Sequence, residues 1–242
     1  MRTTGAITQS EAVPAPMHVV GRIAGPLLLL LGLVAGLGLL VTKVLENTFP
    51  LADEDAVDRS LEAARTPVAT AVSGFFSLVG STGVIIGVML VVAAVFRLAF
   101  GRWRESACLV LAVSAQALIF LLVTLLVARD RPDVVRLDSS PPTSSFPSGH
   151  TGATTALYLG IAVILAWHTR GRWARRSTIA VLVLVPLSVA LARLYRGMHH
   201  PSDVLTGLFN GAACVAISAR SLLFRALPTS WTRRLDRARQ PT

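Results

Sequence analysis

Long stretches without a charge constrain this chain more than anything else in it. Ile23 to Thr42, Val68 to Phe96, Ala107 to Ala128, Thr151 to Trp167, Thr178 to Ala192 and Val204 to Ala219 contain no Asp, Glu, Lys or Arg. About 20 apolar residues in a helix span a bilayer, and only a helix or a closed barrel satisfies its backbone there. The first run is too long for a signal-peptide core and is followed by no clear small-residue cleavage site, so it reads as an uncleaved first crossing. Val68 to Phe96 is too long for one straight crossing. Gly80-Ser81-Thr82-Gly83 divides it into a short interfacial or re-entrant segment and one crossing. The last three runs are short and suit packed helices with little tilt. The sequence thus predicts an all-α fold, a six-helix transmembrane bundle over residues 21–223. A disordered cytoplasmic N-terminus (1–20) and a basic cytoplasmic tail (224–242) flank it.

Composition agrees. Hydrophobic residues make up 53% of the 242 and charged residues only 15%, where soluble domains carry about 25%. Bulk disorder is excluded by the same figures. The two cysteines, Cys108 and Cys214, lie inside apolar runs and read as core residues. The net charge is +10, carried almost wholly by arginine, with Lys43 the single lysine. With the N-terminus in the cytoplasm, the inner segments hold fifteen cations and three acids, and the outer segments eight cations and ten acids. That is the positive-inside pattern for six crossings. The basic residues are spread over cytoplasmic loops without a recognisable module, which argues against a nucleic-acid partner.

Under this topology three polar segments share the outer face. Arg129-Asp130-Arg131-Pro132 ends the third crossing. Ser144 to His150 opens the fourth. Arg193 to Asp203 joins the fifth to the sixth. Pro147 suits a first helical turn, and Ser148 and Gly149 then put free N–H groups and a hydroxyl at a helix start, a site of phosphate size. His150 stands beside it as a proton donor to a leaving oxygen. His199 and Asp203, four apart, share a face of a helical turn. The carboxylate there would fix the imidazole tautomer and free the other nitrogen as a nucleophile. His200 reads as structural. Arg131 and Arg193 supply guanidinium forks for phosphate. No Cys/His cluster has metal-ligand spacing and no HExxH occurs. Of Asp130, Asp133, Asp138 and Asp203, only Asp203 is well placed, so neither a metal nor a cofactor is expected. Asp53, Glu54, Asp55, Asp58 and Glu62 form an acidic outer stretch, read as the solvated face of an interfacial helix.

Taken together, the three segments resemble the type 2 phosphatidic acid phosphatase superfamily of integral-membrane lipid phosphate phosphatases. Arg131-Pro132 matches the end of that family's Lys-x6-Arg-Pro pattern. Pro147-Ser148-Gly149-His150 matches its second pattern in full. Arg193, His199 and Asp203 match the third at the required spacings. Two positions depart: Thr124 stands where the family has Lys, and Ala192 where it has Ser. Arg129, or Arg196, is the candidate to stand in for the missing lysine. The resemblance implies that His199 forms a phosphohistidine, that Asp203 orients it, and that His150 protonates the leaving oxygen and then activates water. It further implies that Arg131, Arg193, Ser148 and the Gly149 N–H hold the phosphate oxygens, with Thr124 offering one hydroxyl.

The expected function is hydrolysis of lipid phosphates or pyrophosphates at the outer face of the plasma membrane, without metal. A polyprenyl pyrophosphate such as undecaprenyl pyrophosphate leads, suggested by the outward site and the bacterial composition. Phosphatidic acid and phosphatidylglycerol phosphate are its rivals. The competing class is a transporter or lipid-phosphate-binding protein without turnover, supported by Thr124. The oligomeric state is left open.

Overall fold

In a computed structural model the protein is described over residues 16–45, 48–139 and 143–224. Eight α-helices and one short 3-10 turn (Leu51–Asp53) form there, with no strand among the described residues. The helices are α1 (Pro16–Lys43), α2 (Glu54–Ala63), α3 (Pro67–Val79), α4 (Thr82–Phe100), α5 (Arg104–Leu126), α6 (Gly149–His168), α7 (Arg172–Tyr195) and α8 (Pro201–Leu222). Six of them, all but α2 and α3, are long and apolar enough to cross a membrane. The chain is a multi-pass membrane protein.

Local chemistry sets the boundaries. Thr66 caps α3 by accepting the Ala69 N–H at 3.2 Å, and Pro67 fills the first turn. The α3 helix has 13 residues, about 20 Å at 1.5 Å per residue, too short to cross. It ends at Gly80, and Ser81 precedes α4, so the long run divides where the small residues predicted. A Cβ on Gly80 would stand 2.8 Å from Val189 of α7 and 3.3 Å from His150, so the break also lets α3 approach the bundle. Beyond Phe100, Gly101 takes the left-handed conformation (φ 65°) that closes many helices.

The observed crossings outrun the apolar runs because arginines occupy their end turns. Arg172, Arg175 and Arg176 open α7, where long cationic side chains can reach the interface, and Arg193 closes it. Two boundaries differ from expectation. Residues 16–20, expected to be irregular, are the first turns of α1. Pro147 lies before α6 rather than in its first turn: the helix starts at Gly149 with Ser148 at the cap. Residues 1–15 and the tail from 225 lie outside the described residues.

Helices α6 and α8 are central. Buried residues make up 56% of their spanning windows, against 17% in α1 and α4. Small residues bring them together: a Cβ on Gly207 would meet the Ser148 carbonyl at 2.6 Å, and one on Gly211 the Gly152 carbonyl at 2.5 Å. One apolar cluster joins α4, α5, α6 and α8 around Leu109, Leu157 and Ile164. A second joins α1, α5 and α8 around Val34, Val123 and Phe146. Burial of Phe146 beside Gly38 and Val127 anchors the loop that opens α6.

Candidate active site

With α3 not crossing, the end of α5, the start of α6, the end of α7 and the start of α8 lie at one end of the bundle. There the three polar segments are knitted by hydrogen bonds. Ser145 donates its N–H to the Arg129 carbonyl at 3.0 Å and its hydroxyl to the Asp130 carbonyl at 2.8 Å. Ser148 donates its N–H to the Asp203 carbonyl at 3.0 Å. Arg131 donates to the Met198 carbonyl at 2.7 Å. The turn after α7 passes through Gly197 at φ 66°, where a Cβ would also strike Val134 at 2.6 Å.

His199 lies in that turn, ahead of α8, with Asp203 in the first turn of the helix. The two therefore do not share a helical face. His199 Nδ1 is 2.8 Å from the Ser145 carbonyl and 3.8 Å from Asp203 Oδ2. A carbonyl oxygen only accepts, so Nδ1 carries the proton and Nε2 keeps its lone pair. The tautomer expected from the sequence is reached, but a backbone carbonyl fixes it. Asp203, fully buried, faces the ring as a charge. Burial holds the His199 pKa below its ordinary value. The cations Arg193 and Arg131 push the same way, against the pull of Asp203.

His199, His150, Arg131 and Arg193 all line one cavity of about 500 Å³. Its apolar lining comes from Ile85 and Ile86 of α4 with Val113, Phe120 and Leu121 of α5. Gly149 lines it too, and a Cβ there would press on the Phe120 ring at 2.9 Å. The cavity thus combines cations and imidazoles with an apolar lining.

The expected oxyanion ligands divide. Arg193 donates through one terminal nitrogen to Ser77 and Asp138, at 2.7 and 2.8 Å, while its buried Nε has no partner. Arg131 keeps donors beyond its one bond to Met198. The Ser148 hydroxyl is fully buried and shares a hydrogen bond with Thr151 at 2.9 Å. It is not turned to the cavity as expected. Thr124 has a buried hydroxyl without a partner and is not among the residues lining the cavity. Neither stand-in for the lysine is free. Arg129 is paired with Asp203 and Glu54. Arg196 is paired with Asp138 at 2.6 Å and bound to the Leu137 carbonyl.

Three carboxylates that the sequence reading left out of the site shape it. Asp138 holds Arg193 and Arg196 together, and their charge overcomes the effect of burial to keep its pKa low. Glu54 and Asp58 of α2 are buried, 7% and 2% exposed, which corrects the expectation of a wholly solvated acidic face. Glu54 binds Arg129 at 2.7 Å and the Ser202 N–H at 2.6 Å. Asp58 binds His200 at 3.1 Å. That bond and Asp203 raise the His200 pKa despite burial. Acids at i, i+4 (Glu54, Asp58) on one helix face were the available signal. Asp55, Asp58 and His200 are the one group among the described residues with ligand atoms close enough for a metal ion. Asp58 and His200 are 142 positions apart along the chain, so local spacing could not reveal the pairing.

Fold and site together define an integral-membrane helix bundle carrying a pocket lined by two histidines, two arginines and apolar side chains. A family model described as the PAP2 superfamily matches residues 105–226, half of the chain and all three segments. The chain belongs to the PAP2 superfamily. A decaprenylphosphoryl-5-phosphoribose phosphatase of Mycobacterium tuberculosis is 37% identical over 103 residues, 41% of this chain and 51% of that protein. Its counterpart in Mycolicibacterium smegmatis is 40% identical over 84 residues, 34% of this chain and 40% of that protein. The chain thus spans about half the length of the curated relatives it matches. In fold it resembles a PAP2-type phosphatidylglycerolphosphate phosphatase from Bacillus subtilis, with TM-score 0.68 and 18% identity over 91% of this chain and 100% of that one. It also resembles LpxE from Aquifex aeolicus, with TM-score 0.54 and 24% identity over 68% and 93%.

Proposed function

We propose that the protein is a lipid phosphate phosphatase working through a phosphohistidine on His199. The observation that carries this is the free Nε2 of His199, beside two arginines and a second histidine in a cavity that also has an apolar lining. In the first step Nε2 forms a bond to phosphorus and the ester or anhydride oxygen leaves. His150 gives that oxygen its proton. The imidazolium so formed keeps Nδ1–H on the Ser145 carbonyl and faces Asp203. In the second step His150, now neutral, takes a proton from water. The hydroxide attacks phosphorus, the P–N bond breaks and phosphate departs. Arg131, Arg193 and the first-turn N–H of Gly149 hold the equatorial oxygens, where charge must be stabilised.

Each residue needed for this scheme is present in the chain, so no cofactor is invoked. The apolar lining suits a lipid chain. A polyprenyl-linked phosphate leads, since the curated relatives act on a decaprenyl-linked sugar phosphate. Phosphatidic acid and phosphatidylglycerol phosphate are the rivals. The charge asymmetry of the loops supports a site on the extracytoplasmic side of the plasma membrane. A non-catalytic lipid-phosphate binder or transporter is the second reading, favoured by Thr124, which leaves the pocket one cation short.

Phosphate release by the detergent-purified protein tests the reading. The substrates are undecaprenyl pyrophosphate, phosphatidic acid and phosphatidylglycerol phosphate, each with EDTA and beside His199→Ala. Release that persists in EDTA and vanishes in the variant supports it. No release from any lipid moves the protein to the second reading.

A further inference from the structure

The start of α8 is held from outside the cavity. Glu54, on α2, accepts the Ser202 N–H through Oε1 at 2.6 Å. Through Oε2 it accepts the Ser202 hydroxyl at 3.0 Å and Arg129 at 2.7 Å. Arg129 in turn donates to Ser202 Oγ at 2.7 Å and to Asp203 Oδ1. The other oxygen of Asp203 accepts the His200 N–H at 3.0 Å and faces His199 Nδ1 at 3.8 Å. An alternating row of charge therefore runs from Glu54 through Arg129 to Asp203 and ends at the imidazole. Asp203 is fully buried, and an uncompensated carboxylate there is costly. Arg129 is the guanidinium that compensates it, and Glu54 fixes where that guanidinium stands. The lysine-replacement role is closed to Arg129, whose terminal nitrogens are both engaged on these three residues.

We infer that Glu54 and Arg129 are positioning residues that set the orientation and charge of Asp203 opposite the nucleophilic imidazole of His199. This rests on the phosphatase reading. Neither residue touches the reacting atoms, so their loss is felt in the chemical step rather than in substrate binding. They also carry opposite charges, which gives them a signature that a purely architectural role lacks. His199 faces Arg193 from α7, Arg131 from the α5–α6 connection, His150 from α6, and Asp203 from its own segment. Neutralising Arg129 makes this surround more negative. Neutralising Glu54 makes it more positive.

The test uses the full-length protein in detergent, with whichever of undecaprenyl pyrophosphate or phosphatidic acid the wild type turns over. Arg129→Gln and Glu54→Gln are each expected to lower kcat by about 10- to 100-fold with KM within about twofold, as for displaced supporting groups. The acid limb of the kcat/KM profile moves up in Arg129→Gln and down in Glu54→Gln. Arg129→Lys, which keeps the charge and loses the fork, returns the limb toward its wild-type position and recovers part of kcat. Should Arg129→Gln fail to fold, Glu54→Gln and Arg129→Lys carry the same comparison. Variants that keep kcat within twofold, or limbs that move the same way, overturn the inference while an inactive His199→Ala leaves the phosphatase reading standing. A wild type that releases no phosphate overturns both.

Discussion

Each end of the bundle sets an imidazole beside a buried carboxylate, at one end His168 by Glu105 and at the other His199 by Asp203, and only the second histidine lines the cavity. At the end away from the cavity, Glu105 is 1% exposed. It receives Arg102 through contacts of 2.6 to 3.1 Å and His168 Nε2 at 3.1 Å. The His168 ring is stacked on Phe100 with centroids 4.1 Å apart. Its carboxylate capacity is spent on partners within the protein. At the other end His199 spends one nitrogen on Ser145 and keeps the other, and Arg193 keeps a buried Nε without a partner. A histidine beside an acid is therefore no sign of a site. Unspent donors and a lone pair turned into a shared cavity are.

The sharpest way to break this contrast is to remove each imidazole. His199→Ala is expected to lower phosphate release by at least about a thousandfold, the loss typical of a covalent nucleophile, while the protein still inserts and elutes as the wild type does. A residual rate within tenfold of wild type would remove His199 from the reaction. Next in size is Arg193→Ala. Loss of a preorganised donor to the transferring phosphoryl group costs about 100- to 1000-fold in kcat. The same variant reports on pH. In the proposed mechanism the neutral ring attacks, and burial together with Arg193 and Arg131 holds the His199 pKa below its ordinary value. The wild-type rate should thus stay level as pH falls through about 6.5 and decline only below that. Removing Arg193 raises the His199 pKa and moves the decline upward. A decline at unchanged pH would show that another group sets the limb.

How far the sequence reaches follows from the range of each signal. The six charge-free runs mark six crossings because lipid solvent imposes one length and one polarity on every span. The break at Gly80 is legible because small residues cluster there. His150, Arg131, Arg193 and His199 come to one cavity, and the three segments taken together select them where no one segment does. What spacing misses is everything that depends on two distant segments. Glu54 reaches Ser202 across 148 positions and Asp58 reaches His200 across 142. From the sequence Arg129 reads as a stand-in for the missing lysine. Its partners on α2 and α8 assign it elsewhere. Ser145 acts through its carbonyl, which no side-chain pattern records. Asp138 was weighed only as a poor metal ligand and stands between two arginines. Ser148 was expected to turn its hydroxyl to phosphate, and Thr151, one turn on, takes that hydrogen bond instead.

A gentler change addresses the cavity's charge. Thr124 lies one turn beyond Phe120 and Leu121, which line the cavity, and its hydroxyl is buried without a partner. A lysine there would extend toward Arg131 and add one phosphate-binding cation, since Arg129 and Arg196 are committed. Thr124→Lys is expected to lower KM by a few-fold, in keeping with about 1 kcal/mol for one more charge-assisted contact. An unchanged KM would mean that Arg131 and Arg193 already saturate the phosphate.

The smallest expected effect on turnover belongs to the closed pair and completes the contrast. His168→Ala removes one hydrogen bond to Glu105 and the ring stack on Phe100, and leaves the Arg102 contacts in place. Because Arg102 still compensates the carboxylate, the loss should be near that of one hydrogen bond, about 1 kcal/mol. In a chain of this size that is a fall of about 2–4 °C in the melting temperature. Phosphate release should stay within twofold of wild type, because the pair lies at the far end of α6 from His150 and touches nothing that lines the cavity. The check is a thermal-shift curve in detergent beside the release assay. A tenfold loss of activity without a fall in melting temperature would mean that the two ends of α6 are coupled, and that the far pair serves the reaction after all.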